Sequence, residues 1–239
     1  PRSRGLGDVY KRQMLFGVVL VAWIFSGFMS MRPWGTTDSR SRLDASLIQG
    51  GSLRAADISL PVTRVLQLLR VELDVVELEW RRLHGSAYLV ARDASGNSRM
   101  LHGEALLHQF PREQLLDAAR VMAPAIALDS DWLERFDSYY FARDAQSMYG
   151  FQNRPLPVLR VRFDDPEQNW VYLDPASGEI VARHDQRQRI GRWLFNLLHS
   201  WDWHPLLERP LLREALIIAF SLGGMLICIL SLIHISEPT

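Results

Sequence analysis

The chain has one cysteine, Cys228, in 239 residues. That excludes an intrachain disulfide and every Cys-x-x-Cys redox or zinc motif. Lysine is almost as scarce: Lys11 is its single occurrence, and arginine supplies all other cationic side chains. Basic and acidic residues balance at 27 each, so the electrostatic footprint of a nucleic-acid-binding protein is missing. His-Glu-x-x-His, Gly-x-Ser-x-Gly, Gly-x-x-x-x-Gly-Lys and Gly-x-Gly-x-x-Gly are absent as well. Zinc-protease, serine-hydrolase and phosphate-cradling chemistries therefore have no support in the sequence. The apolar runs 14–31 and 215–229 contain no histidine.

The two ends mirror one another through their codons. One codon choice for RGLGDVYKRQ (4–13), read on the opposite strand, translates as LSLIHISEPT (230–239) at every position. Folding imposes no such relation, whereas an inverted DNA repeat does. Residues 1–13 and 230–239 resemble translated transposon-type sequencing adapter and are left out of fold reasoning. Lys11, His234 and the apparent basic anchor Lys11-Arg12 leave with them, and residues 14–229 keep 23 basic and 25 acidic side chains.

What is present in abundance is apolar sequence near both ends. MLFGVVLVAWIFSGFMSM (14–31) and ALIIAFSLGGMLICI (215–229) carry no charge, and each approaches the roughly 20 residues that cross a bilayer. No small-x-small cleavage site precedes Arg32, which argues for a span over a cleaved leader. Arg32-Pro33-Trp34 ends the first run with a charge, a helix breaker and an interfacial aromatic, and Trp201 and Trp203 precede the second. The expectation is two transmembrane helices, 14–31 and 211–229, with everything between them on one side of the lipid bilayer. Charge does not say which side, because both outer flanks are adapter-like.

The intervening sequence predicts an α+β fold of two helix-plus-antiparallel-sheet units. Residues 32–60 are a polar Gly/Ser-rich loop. The first unit, 61–109, opens with helix 61–70, capped by Asp57 or Ser59 and bearing an apolar face of Val62, Val65, Leu66 and Leu69. Period-2 strands follow at 75–83, 86–93 and 98–104. The second unit, 110–186, has helix 110–124 and strands at 135–143, 157–165, 169–174 and 179–185. Asp129, Asp131, Asp164 and Asp165 are expected as cap and turn residues, and His184-Asp185 as a solvated strand end. Residues 187–210 form an amphipathic juxtamembrane segment, with one helix over 187–203.

WIFSGFMSMRPWG (23–35), the hairpin VYLDPASGEIVAR (171–183) and RWLFNLLHSWDWHPLLERPLLREALIIAFSLGGML (192–226) resemble the PepSY family, in particular its bacterial PepSY-associated transmembrane proteins. The first unit matches mainly in plan. The resemblance implies an inner-membrane protein with its central domain in the periplasm. It leaves two functions open. Some relatives look like iron-regulated ferric-siderophore reductases that pass electrons through haem held by membrane histidines. Soluble PepSY modules instead bind peptide or regulate a peptidase, a role that an exposed sheet edge can fill by strand addition. Haem requires an axial nitrogen or sulfur, and the candidates are His199 and His204 at the membrane edge, His199 lying between Phe195 and Trp203. The other reading of His199 is an interfacial side chain bonded to Asp202 or to backbone. His84, His102 and His108 are scattered polar-face residues, and no metal site is expected from them.

Overall fold

A computed structural model describes the backbone of residues 2–143 and 150–236 and the side chains of 14–143 and 150–229. The adapter-like stretches thus lie outside the described side chains. The chain divides into two compact units, residues 40–186 and the two terminal segments 1–39 and 187–239. The architecture is α+β, with two four-stranded antiparallel sheets.

The loop expected at 32–60 contains three short 3-10 turns, Pro33–Gly35 and, in the central unit, Ala45–Gln49 and Ala55–Asp57. Asp57 closes the second turn by accepting from the Arg54 amide at 2.8 Å and receives Arg82 at 2.8 Å. It does not cap α2 (Val62–Leu69), which starts behind Pro61 without a side-chain cap. Of the expected apolar face, Val65 and Leu69 are buried, while Val62 and Leu66 remain exposed.

β1 (Val75–Leu83), β2 (Ser86–Asp93), β3 (Ser98–His102) and β4 (Ala105–Leu107) form a meander in spatial order β1-β2-β3-β4. His84 and Gly85 both have positive φ, 49° and 82°, the two-residue turn whose twist suits a hairpin. β2 is buried on both faces. Leu89 and Ala91 pack with Val65 and Leu69 of α2, and Tyr88 and Val90 face the main core. That explains its continuous apolar centre, since a strand covered on both sides needs no polar alternation.

α3 (Arg112–Arg120) buries Leu115, Leu116, Ala118 and Ala119. It shares the main core with β2, β3 and the inner face of the second sheet, namely Leu159, Val161, Phe163, Val171 and Leu173. That sheet comprises β5 (Leu128–Leu133), β6 (Val158–Phe163), β7 (Trp170–Leu173) and β8 (Ile180–His184), in that order. The strand expected at 135–143 is not formed. Asp137 accepts from the amides of Tyr139 and Tyr140 at 2.8 and 2.7 Å and bends the chain there. The first strand of the sheet is instead Leu128–Leu133, where Asp129 and Asp131 are ladder residues paired with Arg162 and Arg160 across β6. Asp165 is a turn residue, accepting from the Asn169 amide at 2.7 Å. Asp185 is not solvated: it is buried and takes the Arg40 amide at 2.6 Å.

The β7–β8 turn ties the two sheets together. Tyr88 donates its hydroxyl to the Ser177 carbonyl at 2.6 Å and meets Phe110 edge-on at 4.9 Å. Gly178, at φ 68°, leaves room for both: a Cβ there would lie 2.9 Å from Phe110 Cε2 and 2.9 Å from Tyr88 Oη. Burial raises the Tyr88 phenol above the usual tyrosine range, and the nearby Arg81 guanidinium offsets only part of that. Burial raises Tyr140 in the same direction. The native state therefore holds these protons more tightly than the unfolded chain. Their contribution to stability is fully present below the ordinary tyrosine value of about 10 and is lost as pH rises beyond it. Urea midpoints are expected to be lower at about pH 11 than at about pH 8, and Tyr88→Phe is expected to reduce that difference. A pH-independent midpoint across this window would contradict the assignment.

Candidate histidine site

The terminal unit contains the predicted site residues. α1 (Arg2–Ser30) and α7 (Pro210–Ser236) are its long helices. The span Pro210–Ile229 is long and apolar enough to cross a membrane, whereas Met14–Ser30 is a shorter apolar helix. Two membrane-crossing helices were expected; one helix meets the length criterion among the described residues. Glycine lets α1 and α7 approach closely. A Cβ on Gly223 would lie 2.0 Å from Phe16 Cε1, and one on Gly224 would lie 3.0 Å from Leu20 Cδ2. Phe16 and Trp201 both contact Phe220, with ring centroids 5.7 and 5.0 Å away.

The helix expected over 187–203 is interrupted. α4 (Gln186–Arg192) passes into a π-helical turn, Trp193–Leu197, then into α5 (Leu198–Ser200), and ends at Trp201 in the left-handed region, φ 52°. One extra residue per turn re-aims the side chains that follow. The reversal at Trp201 then separates His199 from His204, which begins α6 (His204–Leu207).

His199 meets α1. Its Nδ1 lies 3.2 Å from Oγ of Ser26, a side chain fully withdrawn from solvent. Ser26 donates its one hydroxyl proton to the Trp23 carbonyl at 2.9 Å. With that proton on the Trp23 carbonyl, Ser26 Oγ can accept from Nδ1–H of His199, the tautomer in which Nε2 keeps a lone pair. Nε2 makes no hydrogen bond among the described residues. Phe195, one turn earlier, stacks on the ring at 5.0 Å and 27° and restricts its plane. Trp23 Nε1 is buried without an acceptor.

A protonated Nδ1 held by a neighbour and an open Nε2 is the arrangement a histidine needs to bind a metal centre. His199 would hold such a centre through Nε2. His204 does not complete a pair: its Nε2 lies 3.5 Å from Glu208 Oε1, on the far side of the Trp201 turn. Phe16 and Leu20 close the α1–α7 seam at Gly223 and Gly224, so that level of the seam admits no planar group. Asp202 is not the partner of His199. It is buried against Arg192 and Arg213, with Nη1 atoms 3.8 and 3.4 Å away, and its carbonyl accepts from Arg192 Nη2 at 3.0 Å.

The other histidines stay apart. His84 occupies the β1–β2 turn, His102 ends β3 and His108 follows β4, the last two exposed. Among the described residues, no three His, Cys, Asp or Glu side chains cluster as metal ligands. Ser26 is the site residue that sequence reasoning missed. Its only cue was a lone hydroxyl in an apolar run, and its partner lies 173 positions away. Comparison with protein-family models, with curated proteins and with solved structures returns no match.

Proposed function

We propose that this chain is a PepSY-type protein of a bacterial inner membrane, with its two-sheet unit in the periplasm, and that it takes part in iron or electron handling, with His199 as an axial ligand. The anchoring rests on α7, with α1 as the second span. Both helices expose large apolar side chains: Met14, Val18, Val21 and Ile24 on α1, and Ile218, Leu222 and Met225 on α7. Such surfaces are costly in water and suited to lipid. Trp34 and Trp203, both more than half exposed, sit where membrane-edge aromatics are expected.

The observation that carries the electron-handling reading is the contact of His199 Nδ1 with the buried Ser26 hydroxyl at 3.2 Å, with Nε2 making no hydrogen bond among the described residues. A haem bound through Nε2 would supply one-electron transfer to a substrate such as a ferric siderophore. The chain's own residues prepare that position. Ser26 can accept from Nδ1–H, the Trp23 carbonyl fixes the Ser26 rotor, and Phe195 sets the ring plane.

The test is haem content. Full-length protein from haem-replete cells is expected to show a Soret band and a pyridine haemochrome, and His199→Ala is expected to lose both. Ser26→Ala should keep the haem and shift its reduction potential, because the ligand loses its hydrogen-bonded neighbour. A folded, full-length protein that purifies colourless would overturn the reading.

A further inference from the structure

The first sheet ends on a long open edge. β1 runs nine residues, Val75–Leu83, and pairs with β2 on one side only. The other sheet edges are shorter or engaged. β4 has three residues. On β5 the Ser130 carbonyl accepts from Arg112, and on β8 the Val181 carbonyl accepts from Arg154. Beside β1, the 48–57 loop covers its C-terminal end: the His84 and Gly85 amides donate to the Ile48 and Gln49 carbonyls at 2.7 and 3.1 Å, and Arg82 reaches the Ser52 carbonyl and Asp57.

Charged side chains on an edge strand usually block pairing with other chains. On β1 their order does the reverse. Glu77, Glu79 and Arg81 alternate along one face, while Leu78 and Trp80 pack on the α2 side. We propose that β1 pairs antiparallel with β1 of a second copy about a two-fold axis at Trp80. Glu79 then opposes Arg81 of the other copy, twice. Trp80 opposes Trp80, and Leu78 opposes the aliphatic stem of Arg82. Moving the axis to Glu79 sets two glutamates against each other, and moving it to Arg81 sets two arginines against each other. Like charges directly opposite destabilise a strand pair, so the sequence selects one register. Within the chain Arg81 pairs with Glu79 and Glu179, and Glu79 with Arg92; the Glu79 side chain remains 41% exposed, so the cross-copy pairs extend a charge network already present along the edge.

Two measurements on the full chain in detergent test this. In a Cys228→Ser background, a mixture of Glu79→Cys and Arg81→Cys chains is expected to form a disulfide that neither forms alone, because those positions face each other only in the proposed register. Light scattering should show a dimer for the parent. Glu79→Arg and Arg81→Glu should each weaken it about tenfold, and mixing the two should restore it. The cross-linking arm keeps the test decisive should a charge reversal fail to fold. The proposal is overturned by a natively folded parent that stays monomeric. It is equally overturned by a dimer whose cross-links ignore the mixture, or by a photo-cross-linker at Trp80 that captures a different polypeptide on β1.

Discussion

Leu159→Ala is expected to cost about 3 kcal/mol of folding stability, within the range of about 2 to 5 kcal/mol seen for buried leucines cut to alanine. Leu159 is fully buried on the inner face of β6, between Trp132 on β5 and Leu173 on β7 in the strand register. Its core is shared by the two sheets and α3, so a cavity there is lined from several elements and collapses poorly. Domain stabilities run from about 5 to 15 kcal/mol, which makes this a large fraction of the total. Leu66→Ala is the matched control. Leu66 lies on α2 but is 41% exposed, and its loss should stay within about 1 kcal/mol. Urea unfolding of both variants discriminates: equal losses would mean that the two sheets do not share a core.

The contrast between those two leucines marks what periodicity conveys. Helical spacing groups Val62, Val65, Leu66 and Leu69 on one face, but the width of the covered stripe depends on β2 and β3, which the spacing cannot describe. Local patterns were legible where local forces decide. The bounds of β1 and β2 follow from alternation and from the His84-Gly85 turn, and α3 follows from Pro111 and its apolar stripe. β5 was illegible because Leu-Asp-Ser-Asp-Trp-Leu has weak strand propensity. Its aspartates are neutralised by Arg160 and Arg162, 29 and 33 positions away. The aromatic run 135–143 has better strand propensity, yet Asp137 captures its own downstream amides and turns it.

The His199 site divides the same way. Phe195 beside His199 follows from i,i+4 spacing on a helix. The Ser26 contact requires α1 to pack on the segment after α4, and the π-helical turn and left-handed Trp201 leave no pattern in the composition. Charge gave the least warning of all. In sequence Asp202 is one acid among aromatics, and its two arginine partners flank it at 10 and 11 positions, beyond the reach of a single helical turn.

Asp202→Ala is accordingly expected to destabilise the terminal unit by about 3 to 5 kcal/mol, the usual consequence of removing one member of a buried ion pair. The Asp202 side chain is 2% exposed, that of Arg192 12% and that of Arg213 27%. Once the carboxylate is gone, the two guanidiniums face each other across a site shielded from water, and Arg213 Nε already lacks an acceptor. Asp202→Asn keeps the shape and one acceptor oxygen but drops the charge, so its loss should be smaller. The pairing also ties the segment carrying His199 to α7, because Arg192 precedes the π-helical turn and Arg213 belongs to the long helix. Loss of Asp202 should therefore loosen His199 along with the helix. Thermal unfolding in detergent micelles, followed by tryptophan fluorescence, gives the stability difference. Hydrogen exchange across 193–200 reports the local effect. An Asp202→Ala protein with unchanged melting and unchanged exchange would show that these charges are screened by solvent and do not hold the segment in place.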